Sequence, residues 1–518
     1  MLIAAAVVPF VPAAAQFVRH GVPDYLYTGD AATLELRTLY AAHARQLLGP
    51  YSPFQWSHPG PAFFYLALPV YEAFHERGPA LNLFMLLANT VAAITIVLLA
   101  RRLRGDSFAW LVAALLACVE LVAMPFLQTA EWNPVAPIFP LIVLSFLAAA
   151  LACGAIAMLP AFAFIASAIV QTYLGYVPEV AALCGVAAAG GLWRLARARA
   201  LRREPQRSDW WIAGATAAVL AAAWTLPLYE SATRRPGNLR LLLDFFSAPH
   251  AAEHSWDVVF TTVFQGLSVV PVGVAQSWRI AVSRPGPLAA AAITLVEVLL
   301  VTAALVDARR RRDATLGAFA AIALAEMAAA VVAIRTTRGA ILPNLVLWIA
   351  VPGLMAVVAG AAWLARERGR MRSVTVAVAV IALGLALLAP VPRDPAFHDR
   401  DHATEQLARD VEAALAAHRV VRPVVRVASH GTWPTVAAIV LHLYKQHVPF
   451  FVDRDWAFMF GSRLAEDAQR HPSLLVGDRG FADRASERPA LTPLAHSSDV
   501  FVFLDDGSRV AGLGRLRN

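Results

Sequence analysis

The chain has 518 residues, of which 58% are hydrophobic and 15% charged, with a mean hydropathy of +0.57. A soluble core cannot hide that much apolar surface, which excludes a soluble globular protein and leaves a multi-pass membrane protein. The formal charge of +8 is carried by arginines in short blocks between apolar runs, with no single basic face, so no nucleic-acid partner is expected.

Runs long enough to cross a hydrocarbon core of about 30 Å fall near residues 1–18, 79–100, 107–127, 134–152, 155–172, 176–193, 210–228, 285–306, 314–334, 343–364 and 373–390, about eleven transmembrane helices. "PAAAQ" (12–16) looks like a signal-peptidase site, but no basic segment precedes it, so the first run is expected to stay as a span. Four connections hold the arginine blocks: Arg101, Arg102 and Arg104; Arg194 to Arg207; Arg309 to Arg312; and Arg366 to Arg372. The intervening "QTAEWNP" (128–134) and "QTYLGYVPE" (171–179) hold none. The positive-inside rule then places the N-terminus in the cytoplasm, residues 19–78 outside, and the C-terminal tail outside. Counting "PAFFYLALPVYEAF" (61–74) as a span would invert every later loop, so it reads as an interfacial or re-entrant helix.

The transmembrane part is therefore expected over 1–390, with surface helices in its first outward loop. After Pro390 and Pro392 the sequence becomes charged, and residues 391–518 read as an extracytoplasmic α/β domain. Its expected strands are 424–429, 449–453, 473–477 and 500–506, with a helix over 434–446. The three cysteines, Cys118, Cys153 and Cys184, lie in or beside apolar runs, where they serve as packing; no disulfide framework or cysteine metal site is expected.

The polar residues of interest collect on the outward side. Asp30 opens "AATLELRTLYAAHARQLLG", whose spacing predicts an amphipathic helix lying on the membrane surface, so Asp30 could simply cap it. Glu35 and Arg37 on that helix are candidates for substrate contact or plain solvated charges. "GPYSPFQWSHPGPAFFY" (49–65) surrounds His58 with aromatics, a wall suited to a sugar ring or a prenyl chain; His58 could orient an acceptor hydroxyl or a phosphate, and a hydrogen-bonded structural histidine is the alternative. Glu131, confined by a short loop to the interface, is the candidate second acid facing Asp30. Gln171, Tyr173 and Glu179 belong to the next outward loop. Arg335 and Arg338, in "IRTTRGAILPN", are arginines on the side the insertion rule disfavours, suited to a phosphate, to snorkelling or to an ion pair. His250, Glu253 and His254 have metal-like spacing without a supporting third ligand.

The stretches "GDAATLELR", "YSPFQWSHPGPAFFYL", "EWNP" and "QTYLGYVP" make residues 1–200 resemble the GT-C superfamily of integral-membrane glycosyltransferases, in the bacterial branch related to protein O-mannosyltransferases and lipid A aminoarabinose transferases. The rest of the chain resembles it by architecture. The resemblance implies a GT-C-like fold in a bacterial plasma membrane. It also implies transfer of a sugar from a polyprenyl-phosphate donor to an envelope glycan, lipid or protein. Asp30 would match the first-loop catalytic acid, Glu131 the second-loop acid and Arg335 the phosphate-binding arginine. The protein mannosyltransferases pair two adjacent acids where this chain has Asp30 followed by Ala31, a departure from a mannosyl donor and a protein acceptor.

The chemistry agrees with the residues. A base at Asp30 would take the acceptor proton, and Arg335 or a divalent cation (Mg or Mn) would stabilise the departing phosphate. The alternative is a transporter or flippase of a lipid-linked glycan, which would place charges near the bilayer midplane; the spans here are nearly free of charge.

Overall fold

A computed structural model of the chain describes residues 1–200, 207–248, 253–277, 285–342, 345–364, 401–467, 471–488 and 490–506. The expected span 373–390, the Arg366–Arg372 block and His250 lie outside the described residues. Contacts divide the chain into two compact units. One comprises 1–21, 59–63 and 82–396; the other joins 22–58 and 64–81 to 397–518, so the grouping does not follow a single boundary at residue 390.

In the first unit each of the other ten apolar runs forms helix. Seven helices among the described residues are long and apolar enough to cross a membrane, from Leu2–His20 to Leu347–Leu364. Ile138–Ala152 and Ile156–Thr172 are apolar but shorter. The run at 107–127 becomes Asp106–Cys118, a π-helical turn Val119–Ala123 and a 3₁₀ turn Pro125–Gln128. Helices Ala314–Thr336 and Ala350–Leu364 form the centre, and the first also packs against Val177–Ala200, Pro287–Arg311 and Ile138–Ala152. Its many alanines allow close approach in an environment where packing, not hydrophobicity, joins helices. Phe319 fills the remaining space, with ring centroids 5.4 Å from Phe108 and 5.1 Å from Phe146. Gly353 and Gly266 let Ala350–Leu364 meet Trp256–Leu267, since a side chain at Gly353 would strike the Leu267 carbonyl.

The ends of this bundle sort as the arginine blocks require. Arg104, closing Ala80–Arg104, pairs with Asp313 at 2.8 Å just past Arg309–Arg312, so two arginine-rich connections meet. Two arginine-free connections also meet, where the Tyr176 hydroxyl donates to the Pro134 carbonyl at 2.8 Å. Four glutamates of the helical runs, Glu120, Glu179, Glu297 and Glu326, are buried, and Ser145 donates to Glu326 at 2.6 Å. The spans are thus less free of ionisable groups than hydropathy alone conveys.

The second unit carries a five-stranded mixed sheet with strand order β2-β1-β3-β5-β4. The strands are β1 Val424–Val427, β2 Phe451–Val452, β3 Ser473–Gly477, β4 Leu491–His496 and β5 Phe501–Asp505. β1 runs parallel to β2 and β3, whereas β5 is antiparallel to β3 and β4. β4 escaped the sequence reading because it is an edge strand interrupted by Pro493, which only an edge tolerates. Helix Trp433–Lys445, expected over 434–446, packs against helix Gly29–Ala42. That contact changes the nature of the first helix. Leu34, Glu35, Leu36, Arg37 and Thr38 are all buried, and five consecutive buried residues leave no solvent-facing stripe. Gly29–Ala42 is a core helix of this unit, not the amphipathic surface helix expected. Residues 61–74 form Ala62–Ala73, whose 12 residues, at about 1.5 Å each, are too short to span.

Candidate functional site

Asp30 sits in the first turn of Gly29–Ala42 without capping it: Thr28 is the cap position, and Asp30 follows Gly29, whose φ of +55° suits glycine. An acid here is favoured by the positive end of the helix dipole. The Tyr51 hydroxyl donates to Asp30 Oδ1 at 2.5 Å. Burial holds the Tyr51 phenol well above its ordinary pKa, and Asp30 adds to the effect, so the phenol keeps its proton and remains the donor. Tyr51 itself is fixed by a small hairpin: Ser52 N–H donates to Trp56 at 2.8 Å and His58 N–H to Pro50 at 2.8 Å, around Gln55 at φ +66°.

His58 is buried in that hairpin with its ring 5.4 Å from Trp56. Burial, helped by the Arg37 charge, pushes its pKa down to about 3, so the ring is neutral and cannot act as a phosphate counter-charge.

Glu35 and Arg37 are both internal braces. Arg37 donates to the Gly49 carbonyl at 3.2 Å, Phe458 at 3.0 Å and Met459 at 3.1 Å, while the Tyr40 hydroxyl donates to Phe460 at 2.8 Å. Three carbonyls at the end of the short helix Ala457–Phe460, which lack intrahelical partners, are thereby satisfied from one face of Gly29–Ala42. Burial lowers the Arg37 pKa to about 10, still cationic at neutral pH. Glu35 is fully buried and accepts from Lys445 Nζ at 2.8 Å and from the Tyr71 hydroxyl at 3.0 Å. Burial raises the Glu35 pKa against the pull of Lys445; burial lowers that of Lys445, but Glu35 outweighs it and raises it overall. In this arrangement neither Glu35 nor Arg37 is at hand for a substrate.

In the first unit, Glu131 is buried and accepts from Asn82 Nδ2 at 2.5 Å, and the same amide serves the Thr129 carbonyl at 2.9 Å. Asn89, two turns on, donates to the Leu127 carbonyl at 2.7 Å. These two asparagines of an apolar helix hold the loop that carries Glu131. The arginine-free connection 171–179 is its neighbour through Tyr176, and Tyr173 stacks edge-on to Tyr176 at 6.0 Å. Burial pushes the Tyr173 pKa up to about 12. Gln171 is buried, donates to the Ala223 carbonyl at 2.8 Å, and occupies the space that Gly60 leaves by lacking a side chain.

Arg335 lies over the Trp256 ring at 4.9 Å and donates to the His254 carbonyl at 3.1 Å. Arg338 lies over Phe245 at 4.2 Å and donates to Ala248 at 3.3 Å, and Glu253 accepts from Gly339 N–H at 2.5 Å. Glu253 and His254 are thus engaged with the arginine loop. Among the described residues no three His, Cys, Asp or Glu side chains gather as an all-protein cation site requires.

No protein-family model matches the sequence, and no curated protein does. Solved structures do. ArnT from Cupriavidus metallidurans in the apo state superposes with a TM-score of 0.53 at 14% identity, over 96% of this chain and 97% of that one. ArnT from the same organism bound to undecaprenyl phosphate gives a TM-score of 0.56 at 14% identity, over 99% and 98%. The chain shares the fold of these ArnT structures. With the apolar helices, it is a multi-pass membrane protein.

Sequence reasoning passed over Tyr51, Asn82 and Lys445. The last carried a signal, being the single lysine among 44 basic residues.

Proposed function

We propose that the protein is a membrane glycosyltransferase that moves a sugar from a polyprenyl-phosphate donor to an acceptor at the outer face of a bacterial plasma membrane. The observation that carries this is the Asp30–Tyr51 pair at a helix start within a fold shared with an ArnT structure bound to undecaprenyl phosphate. An acceptor hydroxyl attacks the anomeric carbon, Asp30 takes its proton, and the bond from that carbon to the phosphate oxygen breaks, leaving its electron pair on the polyprenyl phosphate. Tyr51 orients the base. Glu131, positioned by Asn82, is the second acid, and Arg335, with one N–H donor engaged by His254 and its face on Trp256, is the phosphate ligand. The described donors do not gather into a site for a resident cation.

The test is release of undecaprenyl phosphate from undecaprenyl-phosphate sugars by purified protein, supplied with envelope extract as acceptor. Asp30→Asn should lower the rate by about 10²–10⁴, the contribution of a positioned base. Equal rates for variant and parent would sink Asp30 as the base. The second reading, transport of a lipid-linked glycan, is favoured by the buried glutamates of the helical runs. It predicts movement of the lipid across vesicles with the sugar–phosphate bond intact.

A further inference from the structure

We infer that a row of aromatic side chains from the C-terminal part of the chain, Trp456 and Phe458 with His430 at its far end, forms a pyranose-binding platform running up to Tyr51 and Asp30. The inference rests on the transferase reading and adds a binding subsite to it.

All five residues belong to the second unit. The Tyr51 ring lies 5.8 Å from Phe458, Phe458 is 6.2 Å from Trp456 at an interplanar angle of 24°, and His430 is 5.7 Å from Trp456. Trp456 and Phe458 are only half-buried, and His430 is exposed. Large rings left half open in an ordered row are unusual for a segment that has a core to enter, and Met459 and Phe460 beside them do enter it. The row is also held rigidly. Arg37 grips the Phe458 carbonyl, and Asp453 caps the turn Arg454–Trp456 through the Asp455 N–H. Arg426 pins Asp453 at 2.9 Å and Glu466 at 2.8 Å. Trp433 and Pro434 pack against Gly29, fixing the neighbouring helix start to the residue before Asp30.

A prenyl chain would need an apolar trough. This row instead ends in a carboxylate hydrogen-bonded to a phenol, and each ring except Phe458 carries a polar edge. Flat rings take the C–H face of a sugar, while the carboxylate and the ring edges take its hydroxyls. The ligand class is therefore a pyranose, from either the donor or the acceptor.

Ligand-observed saturation-transfer NMR on the purified full-length protein, with methyl glycosides of glucose, galactose, mannose and N-acetylglucosamine as probes, tests this. At least one glycoside should show saturated ring C–H protons. Its affinity should fall about three- to tenfold in Trp456→Ala, the size of one aromatic contact, and recover in Trp456→Phe. Binding of sugar-free undecaprenyl phosphate should not change. Competition with the undecaprenyl-phosphate form of whichever sugar binds separates the sources: displacement of its methyl glycoside marks the donor ring, and its retention the acceptor ring. Absence of saturation with every glycoside overturns the platform, as does unaltered binding in Trp456→Ala. A parallel loss of undecaprenyl phosphate binding in a folded Trp456→Ala protein also overturns it, because the row would then hold the lipid. Should Trp456→Ala fail to fold, His430→Ala, at an exposed position, decides in its place by the same readout. A protein that binds glycosides through Trp456 yet never consumes a polyprenyl-phosphate sugar would keep the platform and lose the transferase.

Discussion

Burial changes what individual side chains can do. In sequence His58 could orient an acceptor hydroxyl or a phosphate, but desolvation near Arg37 keeps it neutral, with a pKa of about 3. Unfolded, it would titrate near 6.5, so between about pH 6.5 and 3 the unfolded chain binds a proton that the folded chain refuses. His58 therefore adds no pH dependence above 6.5 and removes stability as pH falls below it, by up to about 1.4 kcal/mol per unit. In detergent, the apparent melting temperature of the parent should drop more between pH 6.5 and 5 than that of His58→Gln; parallel curves would show that His58 titrates normally. A second residue-scale prediction concerns Asp30 and Glu131. Groups that act on one transition state lose their contributions together, so Asp30→Asn combined with Glu131→Gln should be little slower than Asp30→Asn alone. Losses in transfer rate that multiply would assign the two acids to separate tasks.

Among the elements, helix Gly29–Ala42 was the least legible. Leu36, Leu39, Tyr40, His43 and Leu47 set a helical period in the sequence, and the helix is there but ends at Ala42, before His43 and Leu47. What the period could not convey is that Trp433–Lys445 and Ala457–Phe460, some 400 residues away in sequence, close over it. Charges at 35 and 37 read as solvated because sequence spacing carries no information about distant partners. The spans were legible because a hydrocarbon core imposes length and apolarity on each one independently, and the sheet because β-branched runs mark its strands, apart from β4 with Pro493. Asp30 and Glu131 stood out in sequence as acids beside apolar runs, whereas Tyr51 and Asn82, their hydrogen-bond partners, are ordinary residues that geometry alone reveals. Lys445 makes the element-scale prediction. Replacing it with Met leaves Glu35 buried beside Tyr71 without its cation. That should cost about 3 kcal/mol, the lower end for a broken buried pair, because Lys445 keeps 25% of its side chain exposed. The double change Glu35→Gln with Lys445→Met removes the orphaned charge and should be more stable than Lys445→Met alone. Denaturation of both variants in detergent checks this, and a single variant as stable as the parent would mean the pair contributes nothing.

At the scale of the whole molecule, the expected orientation rests on where the arginines are. Seventeen arginines in four connections cannot all lie on the translocated side without opposing the insertion preference at every one. The bundle supports their grouping, since Arg104 meets Asp313 at one end while Tyr176 meets Pro134 at another. The eleven expected spans, an odd number, would carry the tail to the side opposite the N-terminus, and that expectation depends on residues 61–74 not crossing. Helix Ala62–Ala73, with 12 residues, meets that condition by length. Two single cysteines, placed in a background lacking Cys118, Cys153 and Cys184, test the orientation. Ala417→Cys lies at an exposed position at the end of helix His402–Ala417, and Arg310→Cys lies at an exposed position in an arginine block. In spheroplasts, a membrane-impermeant maleimide should label the cysteine at 417 directly and the one at 310 only after lysis. The inverse pattern would put the arginine blocks outside and move Asp30 to the cytoplasmic face. Labelling of both in intact spheroplasts would mean that an even number of segments crosses between them. The inverse pattern removes the outward-facing reaction while leaving the fold, the Glu35–Lys445 pair and the aromatic row as they stand.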